Sequence, residues 1–251
     1  MIDSDDPPRL VLLCVLHLPP LAENASLGYY YCRAEPNPTG SGPIAISPSS
    51  DRPFRDKAED AIIVFNMTYY SGGPRDQLKF IVHRRALLAH IPTAHRTCTP
   101  FCSLPAPIPA VVQVPWSKWG PHATRFLTRN SPAMYFITTT AGQRAVTLEN
   151  RMPSPIIMRD FNPYAVRAAR ALAAENGQSE QRNWSQQLPN GNRMTLNVED
   201  SVLTAGFIFK EDVRSSLPYV EVVTQDEYRY GGVMMDDQRI LGLKVSLGSS
   251  C

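Results

Sequence analysis

Short apolar segments rich in β-branched and aromatic residues recur along the chain, and proline, glycine and acidic pairs interrupt them. That pattern predicts strands rather than long helices. Leu10 to Leu18 and Gly28 to Ala34 are the first two, ended by Pro19-Pro20 and Pro36. Ala61 to Tyr70 and Gln77 to Arg84 follow. Ser71-Gly72-Gly73-Pro74 joins them as a hairpin turn, with residues that tolerate positive φ. Ala86 to His90 either continues the strand or forms one helical turn. Ala110 to Val114 is short and runs into Val114-Pro115-Trp116-Ser117-Lys118-Trp119-Gly120-Pro121. Ala133 to Thr140 and Gln143 to Glu149 form a second hairpin about Ala141-Gly142, and Ile156 to Asp160 is a further strand. Beyond a polar loop over 177–192, strands resume at Arg193 to Val198, Val202 to Phe209, Pro218 to Thr224, Tyr228 to Met235 and Arg239 to Leu247. The last two turn at Asp236-Asp237.

One segment has helical periodicity. Val166, Ala169, Leu172 and Ala173 fall on one face of Pro163 to Ala174, with Arg167 and Arg170 off it. Asn162 is a good N-cap, Pro163 suits the first helical position, and Asn176-Gly177 can end the helix. Residues 36–59 and 92–109 are proline-rich loops. The expected fold is therefore a single mainly β domain over residues 1–251, with antiparallel sheets and one short inserted helix. About thirteen strands in hairpins suit a partial or irregular β-propeller of about three blades.

Twenty-three prolines in 251 residues reinforce the segmentation, since proline halts both ladders and helices. A net charge of +2 supplies no field pointing to a nucleic-acid or membrane partner. Five cysteines in so long a chain argue for a reducing compartment over a disulfide scaffold. The apolar run from Leu10 to Leu16 mimics a signal-peptide core, but Asp3, Asp5 and Asp6 precede it where positive charge is wanted. The run is also too short to span a membrane. Sequons stand at Asn24, Asn66 and Asn183 and matter only on the secretory path. Location inside the cell, cytoplasmic or nuclear, is the expectation.

Candidate chemistry is sparse. His90, His95, Cys98 and Cys102 are ligand types that zinc accepts, yet all four crowd into one proline-split stretch instead of two presenting elements. Incidental loop residues are the preferred reading, and no cofactor is expected. No nucleophile elbow, P-loop or dinucleotide fingerprint is present. Glu211-Asp212 and Asp236-Asp237 read as turn acids. His83-Arg84-Arg85 lacks the interleaved aromatics of a nucleic-acid surface. Trp116 and Trp119 lie three apart, on one side of a helical turn if Ser117 to Gly120 is helical. They read first as plugs for the seam between sheets, and second as ligand contacts. Arg125 can stack on a ring or pair with a carboxylate. Phe161, Asn162 and Tyr219 complete the set of structural or interaction candidates.

The stretches VPWSKWGPHATRFL (114–127), ITTTAGQRAV (137–146), MRDFNPYAVRAAR (158–170), FKEDVRSSLPYVEV (209–222) and VMMDDQRILGLKV (233–245) occur in that order. Upstream stand EDAIIVFNM (59–67) and FIVHRRALL (80–88). Together they resemble the C-terminal region of basidiomycete F-box proteins, over most of the chain from about Arg9 to Val245. The resemblance implies an irregular or propeller-like β scaffold. It also implies a protein-recognition role, choosing substrates for a cullin ubiquitin ligase whose Skp adaptor binds the F-box. The sequence departs from the family in carrying no F-box helix ahead of the first strand. A truncated gene model or a lost ligase connection is the corresponding expectation, with Skp and cullin as partners only if an F-box lies upstream. An incomplete ring would expose strand edges and favour self-association. The alternatives are a secreted carbohydrate-binding or hydrolytic propeller, and a zinc module on the four His and Cys residues.

Overall fold

The computed structural model describes residues 12–33, 58–72, 76–91, 111–127, 139–149, 151–177, 183–236 and 238–244. The chain is mainly β with antiparallel sheets and few helices. A first sheet runs in the order β2 (Ser26–Arg33), β3 (Ile62–Tyr70), β4 (Asp76–His83), β6 (Thr124–Leu127). A second, six-stranded sheet runs β10 (Asn183–Gln187), β11 (Arg193–Asn197), β14 (Tyr219–Tyr228), β9 (Ser154–Asp160), β8 (Arg144–Leu148), β7 (Thr140–Ala141). Three two-stranded pieces complete the set. β1 (Cys14–Leu16) lies parallel to β5 (Val112–Val114), β12 (Ser201–Leu203) pairs with β13 (Val213–Ser215), and β15 (Gly232–Met235) pairs with β16 (Ile240–Leu243).

Side-chain alternation explains how these pieces stack. On β3 and β4, Ile62, Val64 and Ile81 point one way and join Phe161, Leu217 and Tyr219 in one buried cluster. That cluster glues the first sheet face to face with the second. Met67, Tyr69, Leu78, Phe80 and Val82 point the other way. They pack with Val114, Trp119, Phe126, Phe209 and Val213. The far face of the second sheet is covered twice. Leu196, Val220 and Trp184 meet Val166, Ala169 and Ala173 of a helix, and Val146, Leu148 and Ile156 meet Val233 and Met235 of β15.

Three α-helices stand among the described residues instead of the one expected: α1 (Arg84–Leu88), α2 (Trp116–Ala123) and α3 (Pro163–Glu175). α1 realises the single-turn alternative for the segment after β4. α3 is the expected helix. Asn162 Oδ1 accepts from the Tyr164 N–H at 2.9 Å, and Gly177 stands at φ 71° beyond its C-terminus. Its face is narrower than periodicity suggested, for Leu172 is exposed.

Among the described residues sixteen strands stand where about thirteen were expected. The three additions are β6, β10 and β13. β10 falls inside the stretch read as a polar loop, held by its one buried side chain, Trp184. Val202 to Phe209 does not run as one strand. β12 stops at Leu203 because Ala205 and Gly206 turn the chain, with Gly206 at φ 100° and Asp212 Oδ1 holding the Ala205 N–H. Tyr228 belongs to the end of β14, not to the start of β15. Residues 36–57, 92–109 and 133–138 lie outside the described residues, and with them most of the two expected loops. Among the described residues no sheet closes on itself.

Candidate functional site

The tryptophan corner forms at α2. Trp119 is 5% exposed and its indole N–H donates to the His17 carbonyl at 2.9 Å. The N-terminal apolar run is thereby tied into the fold through β1. Trp116 packs against Trp119 edge to face, ring centroids 5.2 Å apart, and both rings lie against Phe80. Gly120 is required one turn after Trp116. A Cβ built there would sit 2.2 Å from the Trp116 ring. The Thr124 hydroxyl donates to the Gly120 carbonyl at 2.6 Å, satisfying an acceptor at the helix end. The Trp–x–x–Trp–Gly spacing is thus a packing device, and Trp119 has no surface to offer a ligand.

Arg125, Phe161 and Tyr219 come together between the sheets. Arg125 is 4% exposed. Its Nε donates to the Leu217 carbonyl at 2.8 Å and its Nη1 to the Glu199 carbonyl at 2.6 Å. Its guanidinium carbon lies 5.3 Å from the Tyr219 ring centroid, and the Phe161 ring packs against the same tyrosine with centroids 5.2 Å apart. The stacking alternative is realised. Burial lowers the pKa of Arg125 and raises that of Tyr219. These side chains staple the two sheets and are sealed from any partner. Asn162 serves as the cap of α3.

The layer between the sheets changes character along its length. Beyond the apolar cluster, Asn66 on β3 stands directly opposite Lys79 on β4, and Ala145 on β8 stands opposite Arg159 on β9. These residues, with Val64, Ile81, Leu127 and Thr147, line a cavity of about 30 Å³. Arg159 Nε donates to Glu221 Oε2 at 2.8 Å. Burial first, and repulsion from Arg159 second, push the Lys79 ammonium down to about 8. A strand lysine reads as solvent-facing in sequence, so nothing there signalled this position.

The two edges of the first sheet contrast. At β6, the Phe126 N–H donates to Ser215 Oγ at 2.8 Å, and Ser201 Oγ donates to the Phe126 carbonyl at 2.9 Å. The Leu217 N–H donates to the Thr124 carbonyl, also at 2.9 Å. At the other end of the sheet β2 has no strand on its outer side among the described residues. Its side chains include Leu27, Tyr29 at 39% exposure and Tyr30 at 67%. Gly28 stands at a break in the register with β3, and a Cβ there would lie 2.1 Å from the Tyr70 ring.

The remaining candidates are dispersed. His90 lies just past α1, while His95, Cys98 and Cys102 are outside the described residues. Among the described residues no three His, Cys, Asp or Glu side chains gather as metal ligands. His122 Nδ1 is 3.2 Å from Ser216 Oγ, but that hydroxyl donates to the Pro121 carbonyl. Asp236 accepts from the Gln238 and Arg239 N–H groups and closes the β15–β16 turn, and Asp212 holds the β12–β13 turn. Those contacts lower the Asp236 pKa. Arg85 pairs with Asp60 at 3.2 Å. Of the sequon asparagines, Asn24 and Asn183 are exposed, whereas Asn66 lines the inter-sheet cavity. No family model, curated protein or solved structure matches the chain.

Proposed function

We propose that the chain is a non-enzymatic protein-recognition scaffold that accepts an extended segment of a partner protein along β2. One observation carries this reading. The first sheet seals its β6 edge with side-chain hydroxyls, whereas among the described residues no strand adjoins the outer side of β2, where Leu27, Tyr29 and Tyr30 are exposed. Open strands add a further strand through backbone hydrogen bonds, while flanking side chains select the sequence. Tyrosines suit such a border because they bring apolar area with a polar tip.

The motif resemblance directs this activity towards the substrate-recognition region of an F-box ubiquitin-ligase receptor inside the cell. Any contact with Skp and cullin would be made by an F-box outside these residues. The propeller relationship belongs to the same proposal. The β2–β3–β4–β6 sheet has the strand number of a blade, and blades stack face to face as the two large sheets do. The six-stranded sheet, with β14 inserted between β9 and β11, is wider than a blade. An open edge also favours pairing between copies at high concentration.

Selection from a library of displayed peptides against the folded chain tests the reading. Binders with a shared extended motif are expected, and Tyr30→Lys should weaken them about tenfold or more. Failure to enrich any peptide, or enriched peptides indifferent to Tyr30→Lys, would contradict it.

A further inference from the structure

The polar end of the inter-sheet layer poses a charge problem that the protein-recognition role does not use. Lys79 and Arg159 both line the cavity, and Glu221 pairs with Arg159. Among the described residues there, two cations against one carboxylate leave one positive charge in excess. Among the described residues no carboxylate pairs with Lys79, and the charged neighbour that bears on it is Arg159, of like sign. A cation withdrawn from water without a counter-charge is costly, so folded proteins pair or neutralise it. The surroundings are equipped for pairing. The Asn66 amide and the Thr147 hydroxyl are further polar groups in the lining, and a guanidinium has five N–H donors, more than Glu221 and the Tyr219 hydroxyl together occupy.

We propose that this cavity binds a small carboxylate anion, with the Lys79 ammonium and Arg159 guanidinium as its charged partners and Asn66 as a neutral donor. The volume of about 30 Å³ holds roughly two water-sized groups, which matches the two oxygens of one carboxylate. Val64, Ile81 and Ala145 border the cavity and accept a methyl or hydrogen substituent more readily than a second charge. The ligand class is therefore a short monocarboxylate of formate or acetate size, not a dicarboxylate. Burial has already lowered the proton affinity of Lys79, and a bound anion reverses that by restoring the charged form.

The test uses the full chain at neutral pH, with sodium formate and sodium acetate as probes and sodium chloride at matched ionic strength as control. An amine-reactive ester labels lysines, and peptide mass spectrometry reads each site. Formate and acetate should slow labelling of Lys79 saturably, by about tenfold at saturation, while Lys118, Lys210 and Lys244 label unchanged. Thermal midpoints should rise with formate in the wild type and not in Lys79→Met. Protection of Lys79 by chloride equal to that by formate would overturn the proposal, and so would a formate response preserved in Lys79→Met. If Lys79→Met fails to fold, the labelling of wild-type Lys79 decides alone. This outcome is separate from peptide binding at β2, so either proposal can fail without the other.

Discussion

Strands β2 and β6 are opposite edges of one sheet, and among the described residues no strand adjoins the outer side of either. At β6 the chain returns three times to meet its backbone groups, through Ser201, Ser215 and Leu217. Ser215 is fully buried for this purpose. At β2 no strand adjoins the corresponding border among the described residues, and Tyr30 is exposed beside it. Edge strands are aggregation hazards that proteins normally blunt with charge, proline or a cover. Among the described residues the sheet covers one edge with hydroxyls and carries exposed aromatic side chains along the other. The β6 side holds the molecule together, and under the proposed function the β2 side is the one that meets a partner.

The largest expected effect comes from breaking the sealed side at its lid. Trp119→Ala removes a buried ring that packs on Phe80 and Trp116 and ties down His17. Denaturant unfolding should report a loss of about 3–5 kcal/mol. Ser215→Ala is more local, orphaning the Phe126 N–H in a buried setting. It should cost about 1–3 kcal/mol in the same measurement.

Lys79→Met sharpens the contrast from the layer adjoining the open side, where Tyr31 stands opposite Asn66 in register. The groups facing Lys79 are Asn66 from β3, Leu127 from β6, Ala145 and Thr147 from β8 and Arg159 from β9, with Glu221 held by Arg159. The folded-state pKa of about 8 lies below an unfolded value of about 10.4. Below pH 8 both states are protonated, and the folded state bears the full cost of the half-buried cation. Between pH 8 and 10 the unfolded chain keeps a proton that the native state sheds, so native stability rises with pH. Lys79→Met should therefore be more stable than wild type by roughly 1–2 kcal/mol at pH 7, and the advantage should shrink towards pH 10. Burial raises the pKa of Tyr69 and Tyr219, and their alkaline losses are common to both proteins and cancel in the difference.

Much of the scaffold was legible in the sequence because strong local patterns wrote it. The long strands β3 and β4, the hairpin turn at Gly142 and the capped helix α3 all follow from apolar runs and turn chemistry. The tryptophan–glycine spacing was legible as a corner, although Gly120 showed its reason only when the Trp116 ring was seen lying over it. The three strands that sequence reasoning missed are short and polar. Thr124–Leu127 carries Arg125, Asn183–Gln187 has a single apolar residue, and Val213–Ser215 is three residues long. Each is a strand because of what it meets. The candidate sites were less legible still. The seal on β6 depends on hydroxyls 75 and 89 residues away in sequence. The Lys79 cavity depends on a second sheet placing Arg159 across from it. Neither separation leaves a periodic trace.

Residue-resolved hydrogen exchange on the monomeric chain, alone and with a selected peptide, tests the division between the edges most directly. The Phe126 and Leu217 amides should exchange only through global unfolding, and the β2 amides directed away from β3 should exchange orders of magnitude faster. Peptide should slow those β2 amides and leave Phe126 unchanged. Strong protection along the whole of β2 in the free monomer, or peptide protection that bypasses β2, would contradict the account.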